Sequence, residues 1–186
     1  MALEHAILVS LSEQAASGAD LTRRFDRSIG FFWTATHQQI YRVLGRMESD
    51  GWVASEVVPQ ADRPATKVYA VTDAGRAELR RWIAEPTAPE PVRSDFGVKL
   101  RGASYGDRGA VLEQVRAQLD EHTKRRSLYE YLAARDFPDP QVLSGQDLDL
   151  YLVLRGGLLL EQFWIDWLTE YLRAHERRSA PTEETP

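Results

Sequence analysis

Leu3, Ile7, Leu8 and Leu11 recur at the spacing that lines one face of a helix, and the pattern stops ahead of Ser17-Gly18. Ser17 or Gly18 then opens a second helix with Leu21, Phe25 and Ile29 on one face, and Gly30 stops it. The connection that follows, Phe31-Phe32-Trp33-Thr34-Ala35, is too apolar for an ordinary exposed turn. Thr36-His37-Gln38-Gln39 has the form of a capping box. The threonine hydroxyl accepts from the third helical N–H, while Gln39 reaches back to the N–H of the cap residue. The helix it starts is expected to bury Ile40, Val43, Leu44 and Met47, and Gly51 supplies the left-handed residue that ends it. The opposite face carries His37, Gln38, Tyr41, Arg42 and Gly45. Two β-prone runs, 52–58 and 67–71, flank a Pro- and charge-containing loop at 59–66 and predict a hairpin. Thr72 or Asp73 caps a fourth helix, with Ala77, Trp82 and Ile83 inward, and Pro86 closes it.

Pro86, Pro89 and Pro91 mark a stiff linker. Past it, a short helical stretch around Phe96, Val98 and Leu100 precedes a long helix from about 108 to 134. Leu112, Val115, Leu119 and His122 form a stripe on that helix, and Phe137-Pro138-Asp139-Pro140 breaks it. A final helix over about 147–175 carries Leu160, Phe163, Trp164, Trp167, Leu168 and Tyr171 on one broad face. The predicted fold is mainly α with a small β-hairpin: a winged helix-turn-helix domain (1–86), a Pro-rich linker (87–92), a helical dimerisation domain (93–176) and a flexible tail (177–186).

In a winged helix-turn-helix the third helix fits the major groove and the hairpin lies on the backbone or minor groove. The candidate DNA-binding residues are therefore Thr34, Thr36, His37, Gln38, Tyr41 and Arg42 around that helix's start, with Arg63 and Lys67 in the hairpin. Gln38 suits an adenine edge and Arg42 a guanine or a phosphate. The ordinary alternatives stand beside these: a solvated helix face for Gln38 and Arg42, packing under the wing for Tyr41, a plain surface position for His37.

Composition changes the picture in two places. The 186 residues sum to a formal charge of -5, which works against phosphate binding. The window 18–71, however, holds seven basic side chains against six acidic ones, so the acid excess lies elsewhere. There is no cysteine, which removes disulfides and thiolate metal sites. The four histidines, at 5, 37, 122 and 175, show no metal spacing, and neither a phosphate loop nor a Gly-x-Ser-x-Gly elbow occurs. No enzyme activity, metal or cofactor is expected. The apolar stretch 156–160 is far too short to span a bilayer, and the N-terminus lacks the form of a signal peptide, so a cytoplasmic protein is expected.

The segments HQQIYRVLGRMESDGWV (37–53) and KVYAVTDAGRAEL (67–79) together resemble the PadR family of regulators. Ser17-Gly18-Ala19-Asp20-Leu21 is similar to that family's second-helix start, with Ala19 where an aromatic is common. The C-terminal half is similar in architecture to the larger subgroup with a virulence-activator-like helical domain. The resemblance implies a homodimer held by the C-terminal helices, a double-stranded DNA operator and repression of nearby genes. Independently, the final helix is apolar on more than one face and contains Gly156-Gly157, which favours burial against a second copy over cover by the helix from Arg108. Trp33, Phe163, Trp164, Trp167 and Tyr171 are candidates to line a pocket for a small aromatic effector, although aromatics at helical spacing are more often core. Two rival functions remain: a winged-helix protein-interaction module without DNA binding, and a ligand sensor.

Overall fold

The apolar pattern at the start of the chain becomes α1 (Ala2–Glu13), with Ile7, Leu8 and Leu11 buried. The computed structural model describes residues 2–27, 35–60, 63–89 and 94–179. By its contacts the chain divides into two compact units, Met1–Glu90 and Pro91–Pro186.

In the first unit, a two-residue strand β1 (Ala16–Ser17) leads into α2 (Gly18–Arg27). Ser17 caps α2: its hydroxyl accepts from Asp20 N at 3.1 Å and donates to the Asp20 carboxylate at 2.6 Å. Leu21, Thr22 and Phe25 are buried on the inward face of α2. The expected Ile29, the Gly30 stop and the apolar connection at 31–34 lie outside the described residues. Next come α3 (His37–Ser49), β2 (Val53–Gln60), β3 (Arg63–Val71) and α4 (Asp73–Ile83). The strands form one antiparallel sheet in the order β1-β3-β2, with Ala16 opposite Tyr69 and Val53 opposite Val71. The hairpin alone was expected. The third strand escaped because two residues show no alternation that a sequence can display.

The hairpin is also longer than expected, since most of 59–66 is strand rather than loop. Pro59 sits on the edge strand β2, where the register is irregular between Val58 and Gln60. β3 is flanked by β1 only at Val68 and Tyr69, so at Pro64 one side of it is open. A residue without an N–H is tolerated at such edges. Gly51, at φ +73°, makes the turn from α3 into β2 that no side chain would favour.

Ile7, Leu8, Leu21, Phe25, Ile40, Leu44, Met47 and Val53, from α1, α2, α3 and β2, form a core to which β1 adds Ala16, β3 adds Tyr69 and Val71, and α4 adds Leu79. The inward face of α4 is Gly75, Leu79 and the partly buried Trp82; Ala77 and Ile83, expected inside, point to solvent. The short helix offers few apolar residues from which to choose a face, and the decisive one is a glycine. A Cβ on Gly75 would strike the Trp52 carbonyl oxygen and lie 2.9 Å from Val71 Cγ1.

The second unit comprises α5 (Asp95–Gly102), a 3-10 turn (Ala103–Tyr105), α6 (Arg108–Asp136), another 3-10 turn (Pro140–Val142) and α7 (Gly145–Ser179). α7 begins before Asp147 and continues past His175. The stripe Leu112, Val115, Leu119 and His122 faces inward as expected and extends to Tyr129, which is buried. The core is Leu100, Val115, Leu168 and Leu172, with Trp164, Trp167 and Tyr171 packed around it. Leu160 and Phe163 lie outside that core, Phe163 with its ring against Trp164 and Trp167. With Leu152, Val153 and Leu159 they stand about half exposed. Among the described residues, no helix is long and apolar enough to cross a membrane.

Candidate nucleic-acid interface

The capping box forms as its residues require. Gln39 N donates to Thr36 Oγ1 at 3.2 Å, and Thr36 N donates to Gln39 Oε1 at 2.8 Å. The cap fixes the first turn of α3, while burial of Ile40, Val43, Leu44 and Met47 fixes its rotation. Fully burying side chains of that size contributes about 1.5–3 kcal/mol each. What remains outward is Thr36, His37, Gln38, Tyr41, Arg42 and Gly45, all exposed. Five of the eight expected DNA-binding residues thus come together on one uncovered face at a helix start. Free backbone N–H groups and the positive end of the helix dipole lie there too.

Tyr41 is half exposed. Its ring crosses Gly18 at the start of α2, where a Cβ would sit 2.5 Å from the ring carbon Cε1. Only a glycine permits that approach. Arg42 makes no ion pair among the described residues. Arg46, a turn later, is instead tied to the buried carboxylate of Glu4 on α1.

Lys67, expected as a DNA contact from the wing, is paired within the chain. Its ammonium donates to Glu48 Oε2 at 2.7 Å and lies 5.2 Å from the centroid of the Tyr69 ring. Hydrogen bonding to Lys67 and Ser55 holds the Glu48 carboxyl below the usual carboxylate range, and Glu48 in turn raises Lys67. Thr34 and Trp33 lie outside the described residues, as does the side chain of Arg63, whose backbone begins β3.

Of the aromatic candidates, Phe163, Trp164, Trp167 and Tyr171 share α7. Trp164 stacks on His122 (5.2 Å between centroids) and lies 5.3 Å from Trp167, while Tyr171 donates its O–H to the Leu100 carbonyl at 3.2 Å. Trp164, Trp167 and Tyr171 therefore serve the unit's own packing, and Phe163 is half exposed.

Sequence reasoning missed the buried charges. His5 Nε2 meets Glu78 at 2.9 Å and its ring stacks on Trp82. In the second unit, the buried Glu161 accepts from Arg125 and pairs with His122 Nδ1 at 2.5 Å. No cluster of metal-ligating side chains occurs among the described residues.

A model described as the PadR-like transcriptional regulator family matches residues 7–81, and one described as the virulence activator alpha C-terminal domain matches 92–176. A probable transcriptional regulator of Mycobacterium tuberculosis is 54% identical, over 96% of this chain and 100% of its own. The structure of the Vibrio cholerae virulence activator AphA is similar at TM-score 0.78 and 36% identity, covering 95% of this chain and 99% of that one. The negative transcriptional regulator PadR of Bacillus subtilis is 32% identical, over 91% of this chain and 95% of its own. Its structure in complex with operator DNA matches at TM-score 0.81 and 28% identity, covering 94% and 99%. Its complex with p-coumaric acid matches at TM-score 0.74 and 28% identity, covering 94% and 98%. These relatives are regulators rather than enzymes, and their folds are those of winged-helix proteins. With a winged domain and a helical domain in this order, the chain belongs to the PadR-like family of transcriptional regulators.

Proposed function

We propose that this regulator is a homodimer that reads a pseudo-palindromic DNA operator and represses the genes beside it in the cytoplasm. The observation that carries the reading is the uncovered start of α3, where Thr36, His37, Gln38, Tyr41 and Arg42 share one face. Gln38 is suited to an adenine edge, Arg42 to a guanine or a phosphate, and the wing brings Arg63 to the backbone. The operator complex of the Bacillus subtilis relative supports the DNA, and that protein's name supports the sign of regulation.

The second copy is argued from α7. Leu152, Val153, Leu159, Leu160 and Phe163 form an apolar stripe, and a Cβ on Gly156, in its middle, would meet nothing within 4 Å. A stripe of this kind suits a helix of the same sort from another subunit, with backbones close at the glycine. Two winged domains on a two-fold axis call for half-sites about one helical turn, ~10 bp, apart.

A small aromatic acid is the effector class we favour, because the Bacillus subtilis relative has been crystallised with p-coumaric acid and α7 carries four of the five aromatic candidates, Phe163, Trp164, Trp167 and Tyr171. Titration of tryptophan fluorescence with such acids should be saturable; a flat response removes the effector from the account. The DNA reading is tested by gel shift with Arg42→Ala/Arg63→Ala. The double variant should lose operator binding and remain a dimer, and unchanged affinity would defeat the assignment of the site.

A further inference from the structure

Between the last turn of α3 and the wing sits one carboxylate that serves two donors. Glu48 Oε1 accepts from Ser55 Oγ on β2 at 2.5 Å, and Oε2 accepts from Lys67 Nζ on β3 at 2.7 Å. In the hairpin register, Ser55 is opposite Tyr69 and Val57 is opposite Lys67, so these side chains belong to one face of the sheet. It is the face that carries Val53 and Val71 into the core. Further out, apolar packing gives little hold: Val57 is 62% exposed and Val58, on the other face, 40%. The acid therefore joins α3, β2 and β3 where the hydrophobic core has run out.

We propose that Glu48 and Lys67 are positioning residues for DNA recognition, fixing the wing at a set angle to α3, and that Lys67 is not a phosphate contact. The proposal deepens the DNA-binding reading and rests on it. A lysine held 2.7 Å from a carboxylate attracts a nearby phosphate less than a lone ammonium does, because the carboxylate repels it. To give a phosphate its undivided charge it would have to leave Glu48, and the wing would lose its tie to the recognition helix. Wing and helix must engage adjacent parts of the duplex together, so an error in their angle lowers affinity without removing any contact to the backbone. The depressed carboxyl and raised ammonium of the pair are consistent with a tie that holds across neutral pH.

The test uses the full chain with Glu48→Ala, Lys67→Met and the double variant. Both side chains are well exposed (33% and 45%), so none of these removes core packing; unfolding midpoints serve as the check. Hydrogen exchange is read in β2 and β3, and affinity is read against one duplex selected by the unaltered protein from a random pool, over a range of salt. Each single variant is expected to speed exchange in the hairpin and weaken binding by about tenfold, with the double no worse than either. The slope of affinity against salt should stay that of the unaltered protein. The proposal is overturned if Lys67→Met lowers that slope by about one phosphate while Glu48→Ala tightens binding, since Lys67 is then a contact. It is overturned as well if hairpin exchange is unmoved in every variant. Failure of the unaltered protein to select any duplex sinks the DNA-binding reading instead, and the exchange data still say whether the tie exists.

Discussion

Gly156 and Gly157 are neighbours on α7 that face different things. A Cβ on Gly157 would lie 3.0 Å from the Tyr129 ring on α6, whereas one on Gly156 would meet nothing. Gly157→Leu should therefore lower stability by about 1–3 kcal/mol through overpacking. Gly156→Leu should leave the fold intact, with a gain of up to ~1 kcal/mol in helix propensity, but should weaken self-association. Denaturant unfolding and sedimentation of the two variants separate these outcomes. A second residue-scale expectation concerns acid. Arg81 first, and His5 after it, hold the Glu78 carboxyl down at about 2, against 4.5 ordinarily. Because its folded pKa is depressed, the stability Glu78 contributes is complete above about pH 4.5 and is lost as pH falls toward 2. Glu78→Gln should flatten the decline of urea midpoints in that window; a parallel decline would contradict the assignment. The glycine pair was legible in the sequence, but the different surroundings of its two members and the pairing of Glu78 were not. The partners of Glu4 and His5, Arg46 and Glu78, are distant in the chain, so no local pattern announces them.

At the scale of elements, legibility followed how local the cause is. α3 was read with its cap, its buried face and its glycine stop, because every determinant lies within the helix or within two residues of its ends. Removing the cap tests that description: Thr36→Ala should cost about 1 kcal/mol and loosen exchange in the first turn of α3. The exposed face of α3 was legible for the same reason. β1 was not, since it exists only because β3 offers an edge at Val68 and Tyr69. The wing strands were read too short because prolines were taken as breaks, and their edge positions make them harmless. On α4 the face was misjudged because its closest approach is made by Gly75 against the Trp52 carbonyl, a contact without a side chain. On α7 the aromatic run was expected to be one face and is unevenly buried: Trp164, Trp167 and Tyr171 pack inside, while Leu160 and Phe163 stand half exposed, Phe163 with its ring against Trp164 and Trp167.

At the scale of the molecule, the negative total of -5 and the proposal of DNA binding are reconciled by location. Two acids on or beside the recognition helix are engaged, Glu4 by Arg46 and Glu48 by Lys67 and Ser55, while the exposed Asp50 lies at its C-terminal end, away from the helix start. The outward start of α3 carries His37 and Arg42 with no acidic neighbour on its first two turns. A face of this sort, doubled by a second copy, gives affinity that depends on few charges, and it should fall steeply with added salt. The copies themselves should part when α7 is altered. Leu160→Glu places a charge in the apolar stripe and should raise the dimer dissociation constant by tenfold or more, about 1.4 kcal/mol; sedimentation equilibrium reads it, and an unchanged dimer would move the interface elsewhere. The most direct measurement of the whole account is selection of bound sequences from random duplex DNA by the full chain. Enrichment of an inverted repeat with half-sites ~10 bp apart, lost on Arg42→Ala, is the result this account requires. A pool that stays unenriched, or a motif that survives Arg42→Ala unchanged, would contradict it.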